Sequence, residues 1–161
     1  MNRQQILLAL EEAGIPVRVG QVDERLLLQK GVYLLQEAGV HLGYRYRWYL
    51  RGPYSTGLAN DVFFLASQTQ SVKKELASWQ LDGESKGRIS AVKKLFSSKE
   101  LGKLVKHLEL VASVLYMIRV RQAGADAPAK ISEMLKANNK PLEESDVAGA
   151  LGELNQHGFA F

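Results

Sequence analysis

The chain has 161 residues, of which 46% are apolar and 24% charged, the proportions of an ordinary globular protein with room for one compact core. It contains no cysteine, which excludes disulfides, thiolate nucleophiles and Cys-based zinc sites together. No apolar run approaches the roughly 18 to 20 residues of a membrane span. The net charge of +4 and pI of about 9.3 are mildly basic and neither demand nor exclude nucleic acid. Residues 61–120 hold ten Lys/Arg against six Asp/Glu and residues 121–161 four against six, so the basic excess sits mid-chain.

The opening MNRQQILLALEEAG puts acidic residues straight after a short apolar run and has no cleavage-type site, so a cytoplasmic protein is expected. Ile6, Leu7 and Leu10 are spaced for a helix over 3–13, ended by Gly14. IPVRVGQV reads as an extended loop. Asp23 is the expected N-cap of a second helix, ERLLLQKGVYLLQEA, which Gly39 terminates. Leu27, Val32, Leu34 and Leu35 spread over more than one face, which predicts a helix buried on most sides. Gly31 in its middle costs about 1 kcal/mol in propensity and predicts close approach of another segment.

From Tyr44 the period changes to two. Tyr44, Tyr46, Trp48 and Leu50 fall on one side of an extended ribbon and Arg45, Arg47, Tyr49 and Arg51 on the other, until Gly52-Pro53 breaks it. Ser55 or Thr56 then caps a helix carrying Leu58, Val62 and Leu65. Short helices are expected near 72–79 and 90–96, separated by a turn-rich LDGESKG. Ser97 with Glu100 forms a capping box for the longest amphipathic pattern in the chain. That pattern runs through Leu104, Leu108, Val111 and Leu115 to about Gln122 and predicts the central core helix. The tail reads as two helices, the first capped by Asp126 with Pro128 in its first turn, the second starting at Ser145 or Asp146. Phe159 and Phe161 would form a short terminal strand.

The expected fold is therefore mainly α with a small β element (α+β). A helical domain, 1–124, surrounds the long helix, and a winged-helix-like two-helix unit, 125–161, packs on it. Catalytic, metal and cofactor assignments are all none. His41, His107 and His157 are dispersed with no HExxH spacing, GxSxG is absent, and Gly52-Pro53 is no phosphate loop. Glu11-Glu12 and Glu143-Glu144 read as solvated pairs.

Residues 44–58 hold four of the six tyrosines, one of the two tryptophans and three arginines. Tyr, Trp and Arg are the residues enriched at interface hot spots. Core packing accounts for Tyr46 and Trp48 but not for Arg45, Arg47, Tyr49, Arg51 and Tyr54, which are assigned to partner binding. A ligand pocket beneath the Gly52-Pro53 turn would add Lys30 and Tyr33. The nucleic-acid alternative uses a basic run of Lys86, Arg88, Lys93, Lys94, Lys99, Lys103 and Lys106. The tail helix is a poor partner for phosphates, since Glu143, Glu144, Asp146 and Glu153 accompany it without one Lys or Arg.

LLLQKGVYLLQEAG followed by GYRYRWYLRGPYSTGL resembles the YwgA-like family and, more distantly, the Panacea (SocA-like antitoxin) domain. The resemblance is carried by Leu28, Gln29, Lys30, Val32, Tyr33, Leu34, Leu35 and Gln36, then by Tyr44, Trp48, Tyr49, Gly52, Pro53, Tyr54, Ser55 and Leu58. It extends more faintly to LELVASVLY at 108–116, and Gly31 departs from it, standing where a large apolar residue is usual. The resemblance implies a helical domain without catalytic residues that binds a protein partner, a toxin or a defence-system component. A homo-oligomer is compatible with it. The expectation is a non-enzymatic protein-binding module, antitoxin-like or accessory to phage defence or a mobile element, with a nucleic-acid-binding transcriptional regulator using the lysine run and the winged-helix-like tail as the alternative.

Overall fold

The computed structural model describes residues 3–97 and 100–161. About 67% is helical, in helices α1 (Arg3–Ala13), α2 (Val22–Glu37), α3 (Thr56–Ser67), α4 (Thr69–Glu75), α5 (Gly83–Val92), α6 (Leu101–Arg119), α7 (Pro128–Ala137) and α8 (Glu144–Gln156). Short 3₁₀ turns extend α4 over Leu76–Ser78 and α5 over Lys93–Phe96. The described strands are β1 (Arg47–Tyr49) and β2 (Gly52–Tyr54), paired antiparallel with Trp48 opposite Pro53.

Two helices make the centre. α6 is the core helix its periodicity predicts, buried without interruption from Val111 to Met117. α2 packs along it and is buried from Leu27 to Leu35, polar residues included. The glycine in α2 has the predicted cause: a Cβ on Gly31 would lie 2.6 Å from Ile15 Cδ1, in the loop after α1. α3 and α5 flank α2, and α1 packs on both. α7 and α8 pack on each other and on α6, burying Ile131, Leu135, Val147 and Leu154. Among the described residues no helix is long and apolar enough to cross a membrane.

Several expected boundaries move. α2 begins after Gln21, whose N–H donates to Glu24 Oε2 at 3.0 Å; Asp23 lies inside the first turn, where its charge faces the positive helix end. The turn-rich stretch is mostly helix, because Asp82 accepts from the Ser85 N–H and Ser85 Oγ at 2.8 Å and caps α5. Those bonds hold the exposed Asp82 carboxyl below its usual range. Ser97 does not cap α6: its hydroxyl donates back to the Lys94 carbonyl, and Glu100 holds the N-cap position. α6 stops at Arg119, with Gln122 left-handed at φ +57°. The cap of α7 is Ala127 rather than Asp126, and that of α8 is Glu143, whose N–H donates to Asp146 Oδ2. Phe159 is buried but forms no strand with Phe161.

Candidate functional site

The predicted ribbon becomes two things joined end to end. Alternation holds from Tyr44, which is buried, through exposed Arg45 and Arg47 to exposed Tyr49. Leu50 breaks it by being 84% exposed. The reason is a hairpin: the chain reverses at Leu50-Arg51, and Gly52-Pro53, expected as the break, forms the return strand instead. Gly52 sits at φ +87°, a conformation an L side chain resists, and a Cβ there would lie 2.5 Å from Ser113 Oγ on α6.

The inward aromatics behave as core. Trp48 packs on Tyr116 of α6 with centroids 5.5 Å apart, and Tyr46 meets Tyr33 edge-on at 5.0 Å. Burial raises the phenol pKa values of Tyr33 and Tyr46 well above the ordinary range. The Tyr44 hydroxyl donates to Asp61 Oδ2 at 2.8 Å, and Asp61 Oδ1 in turn accepts from Arg3 Nε.

What fixes this segment to the helix is a row of polar side chains on α2, two of them buried and the third, Gln36, half-buried. The Gln29 carboxamide takes both backbone groups of Ser55, donating to its carbonyl at 2.8 Å and accepting from its N–H at 2.9 Å. Seven residues on, Gln36 does the same to Tyr44, at 3.0 and 2.7 Å. Between them Lys30 Nζ donates to the Pro53 carbonyl at 2.7 Å, and Tyr46 Oη donates to the Gln29 carbonyl at 3.2 Å. A primary amide presents a donor and an acceptor side by side, as a neighbouring strand does, so each glutamine stands in for one rung of a ladder. Tyr44 therefore has its backbone satisfied without a partner strand, which is why the paired strand is shorter than the alternating pattern.

The outward groups lie on two concavities that share Tyr49 and Tyr54, whose rings stand 5.5 Å apart. One is a shallow depression lined by Arg45, Arg47, Trp48, Tyr49, Tyr54 and Thr56. The other is a pocket of about 290 Å³ between the hairpin, α2 and α3. Its polar lining includes Arg25, Gln29, Lys30 and Arg51, and its walls include Val22, Leu26, Leu50, Val62 and Phe63. All five predicted partner-binding residues thus share one hairpin. Neither lining contains a carboxylate. Among the described residues the side chains of Arg45, Arg47 and Arg51 make no hydrogen bond or ion pair. Four large exposed apolar side chains, Val22, Tyr49, Leu50 and Phe63, border the same pocket. The sequence offered no signal for Val22 or Phe63, since a single exposed apolar residue in a helix has no distinguishing pattern.

The two pocket residues separate. Lys30 is 1% exposed and lies at the pocket's inner wall, where burial, opposed by Glu109 and reinforced by Lys140 and Arg51, pushes its ammonium down to about 7. Tyr33 does not reach the pocket, because its ring is held in the aromatic cluster on the α6 side.

Of the basic run, Lys86, Lys93, Lys94, Lys103 and Lys106 are exposed, and Lys99 lies outside the described residues. Arg88 is engaged, donating to the Gly39 carbonyl at 2.6 Å and pairing with Glu84. The tail is tied to α6 by Lys140 with Glu109 and by His107 Nε2 at 2.7 Å from Glu153 Oε2. Among the described residues no three histidine or acidic side chains gather as a metal site requires.

No family model, curated protein or solved structure matches this chain.

Proposed function

We propose that the chain is a non-enzymatic binding module whose hairpin face takes an acidic, apolar-flanked segment of a partner protein. The observation that carries this is the charge balance of the face. Arg25, Arg45, Arg47 and Arg51 surround Tyr49, Leu50, Tyr54 and Phe63 with no lining carboxylate to neutralise them. Unpaired guanidiniums beside exposed aromatics match an anionic partner that also brings apolar side chains, and such contacts dominate interface energetics. The hairpin is held by buried bonds from Gln29 and Lys30 of α2, so the ridge is ordered before a partner arrives and less entropy is lost on binding. By its resemblance to the YwgA-like and Panacea families the partner would be a toxin or a defence-system component, with the complex in the cytoplasm.

The test is co-purification of the tagged protein from its host, with and without nuclease, beside Arg47→Glu and Tyr54→Ala. A stoichiometric protein should survive nuclease and weaken about tenfold or more with Arg47→Glu, which is ~1.4 kcal/mol or more. Peptide scanning of that protein should locate an acidic segment. Full capture by both folded variants would remove the hairpin as the binding face.

The alternative, a nucleic-acid regulator with a winged-helix-like tail, draws on the exposure of Lys86, Lys93, Lys94, Lys103 and Lys106. It expects nucleic acid recovered without nuclease, insensitive to Tyr54→Ala and falling steeply with salt.

A further inference from the structure

Lys30 is larger than its job on the hairpin requires. One backbone carbonyl is held by one N–H, whereas a lysine ammonium carries three donors. Nor, among the described residues, is a carboxylate within ion-pair range: the acid nearest in effect, Glu109, is itself paired with Lys140. A buried ammonium without a counterion is costly, and here it lines an open pocket rather than solid core. The pocket's other charged lining residues, Arg25 and Arg51, are also cationic. Of these Arg25 is engaged with the Val19 carbonyl at 2.7 Å, which leaves the Arg51 side chain without a partner among the described residues. The remaining walls are largely apolar, through Leu26, Leu50, Val62 and Phe63.

We propose that this pocket is a site for a small organic carboxylate, its carboxyl group held between Lys30 and Arg51 and its apolar body against Leu26, Val62 and Phe63. A volume of about 290 Å³ holds about ten water-sized atoms at ~30 Å³ each, which a medium-chain carboxylate such as octanoate fills. The site occupies the Arg51 side of the same hairpin face and shares Tyr49 and Tyr54 with the Arg45–Arg47 side. A bound acid would therefore touch residues that the partner also touches.

Binding at Lys30 carries a proton signature. Without an anion, burial keeps the amine mostly neutral somewhat above pH 7, with Glu109 pulling its pKa up and Lys140 and Arg51 pushing it down. A seated carboxylate adds a negative charge beside it and favours the ammonium. Octanoate binding at about pH 8 should then take up nearly one proton, and at about pH 6 almost none.

The experiment is calorimetric titration of the intact protein with octanoate and with the neutral isostere octanamide, in two buffers of different ionisation heat. Octanoate should bind at least tenfold more tightly than octanamide. Its affinity should fall by up to about tenfold per unit between pH 7 and 9, while octanamide shows no such trend. Lys30→Met should abolish both the proton uptake and the preference for the acid. Arg47→Glu, on the far side of the hairpin, should leave octanoate affinity unchanged while it weakens partner capture, so the two proposals fail separately. Absence of octanoate binding below its micelle concentration at either pH would overturn the site. So would equal binding of acid and amide, or uptake that persists in Lys30→Met. If that variant does not fold, the wild-type proton count at the two pH values decides alone.

Discussion

The hairpin segment and the tail are both attached to the α2–α6 centre, but by different physics. The tail lays an apolar stripe, Ile131, Leu135, Val147 and Leu154, on α6, and the Lys140–Glu109 ion pair and the His107–Glu153 contact accompany it. The hairpin segment also buries aromatics, yet its backbone is placed by Gln29, Lys30 and Gln36, three polar side chains in and beside the buried stretch of α2. Burial of apolar surface is non-directional and tolerates small slips. A buried amide with two backbone partners does not, because a shifted register leaves donors and acceptors unpaired. The tail is thus held on, while the hairpin is held in register.

The largest expected effect concerns Lys30. Its pKa falls from 10.5 to about 7 on folding, so the unfolded chain binds more protons between those values. The contribution is worth up to about 5 kcal/mol at ~1.4 kcal/mol per unit. Its sign is fixed: stability is fully present above the unfolded value and is lost as pH falls toward about 7. The stability of wild type relative to Lys30→Met should therefore rise with pH across that window in denaturant titrations. A tail variant, Leu154→Ala, should follow wild type in slope. A flat wild-type-minus-Met difference would show that Lys30 is solvated after all.

Next is the contrast between the two attachments. Gln29→Leu leaves the Ser55 N–H buried without a partner and its carbonyl with only the Ala59 N–H, at about 1–3 kcal/mol. Leu154→Ala opens a cavity at about 3 kcal/mol. The totals are similar, but hydrogen exchange should separate them. Gln29→Leu should expose amides of residues 44–55 selectively, whereas Leu154→Ala should lower protection in α6, α7 and α8 together. Uniform loss in both variants would erase the distinction.

The smallest effect tests the turn. Gly52→Ala meets both a left-handed backbone and the Ser113 hydroxyl, and should cost about 2 kcal/mol. Ser113→Ala removes the Oγ at 2.5 Å and leaves Cβ at 3.7 Å, so the double variant should recover the steric part and keep the backbone part. Complete additivity would mean that the two residues do not meet.

What could be read from sequence follows the same division. Periodic apolar burial was legible: α1, α3 and α6, the wrapping of α2 and the tail helices all announce themselves in spacing. The alternation of Tyr44 to Tyr49 was equally plain. Directional bonding was not. Gln29 and Gln36 look like tolerated polar residues in a helix until Ser55 and Tyr44 are found beside them. Lys30 resembles a surface lysine until its helix proves buried all round. The return strand Gly52–Tyr54 has no β pattern, since it is two breaker residues and a tyrosine that find their place through the Lys30–Pro53 bond. Asp82 was obscured by turn-rich neighbours, though an Asp three residues before Ser85 is a capping signal in itself. Of the candidate site, the cluster of exposed arginines and tyrosines was visible; the pocket beside it needed α3 and Phe63.

The two glutamines have one more consequence, for where this chain can change length. They sit seven residues apart on α2, about 10.5 Å along its axis, and pin the chain at Tyr44 and Ser55. An insertion near either pin would pull a backbone group off its amide. One at Leu50-Arg51 touches neither pin, because closing a longer loop costs little, although it reshapes the pocket rim that these two residues supply. That turn is the place where a foreign peptide could be grafted and displayed while the helices beneath keep their positions.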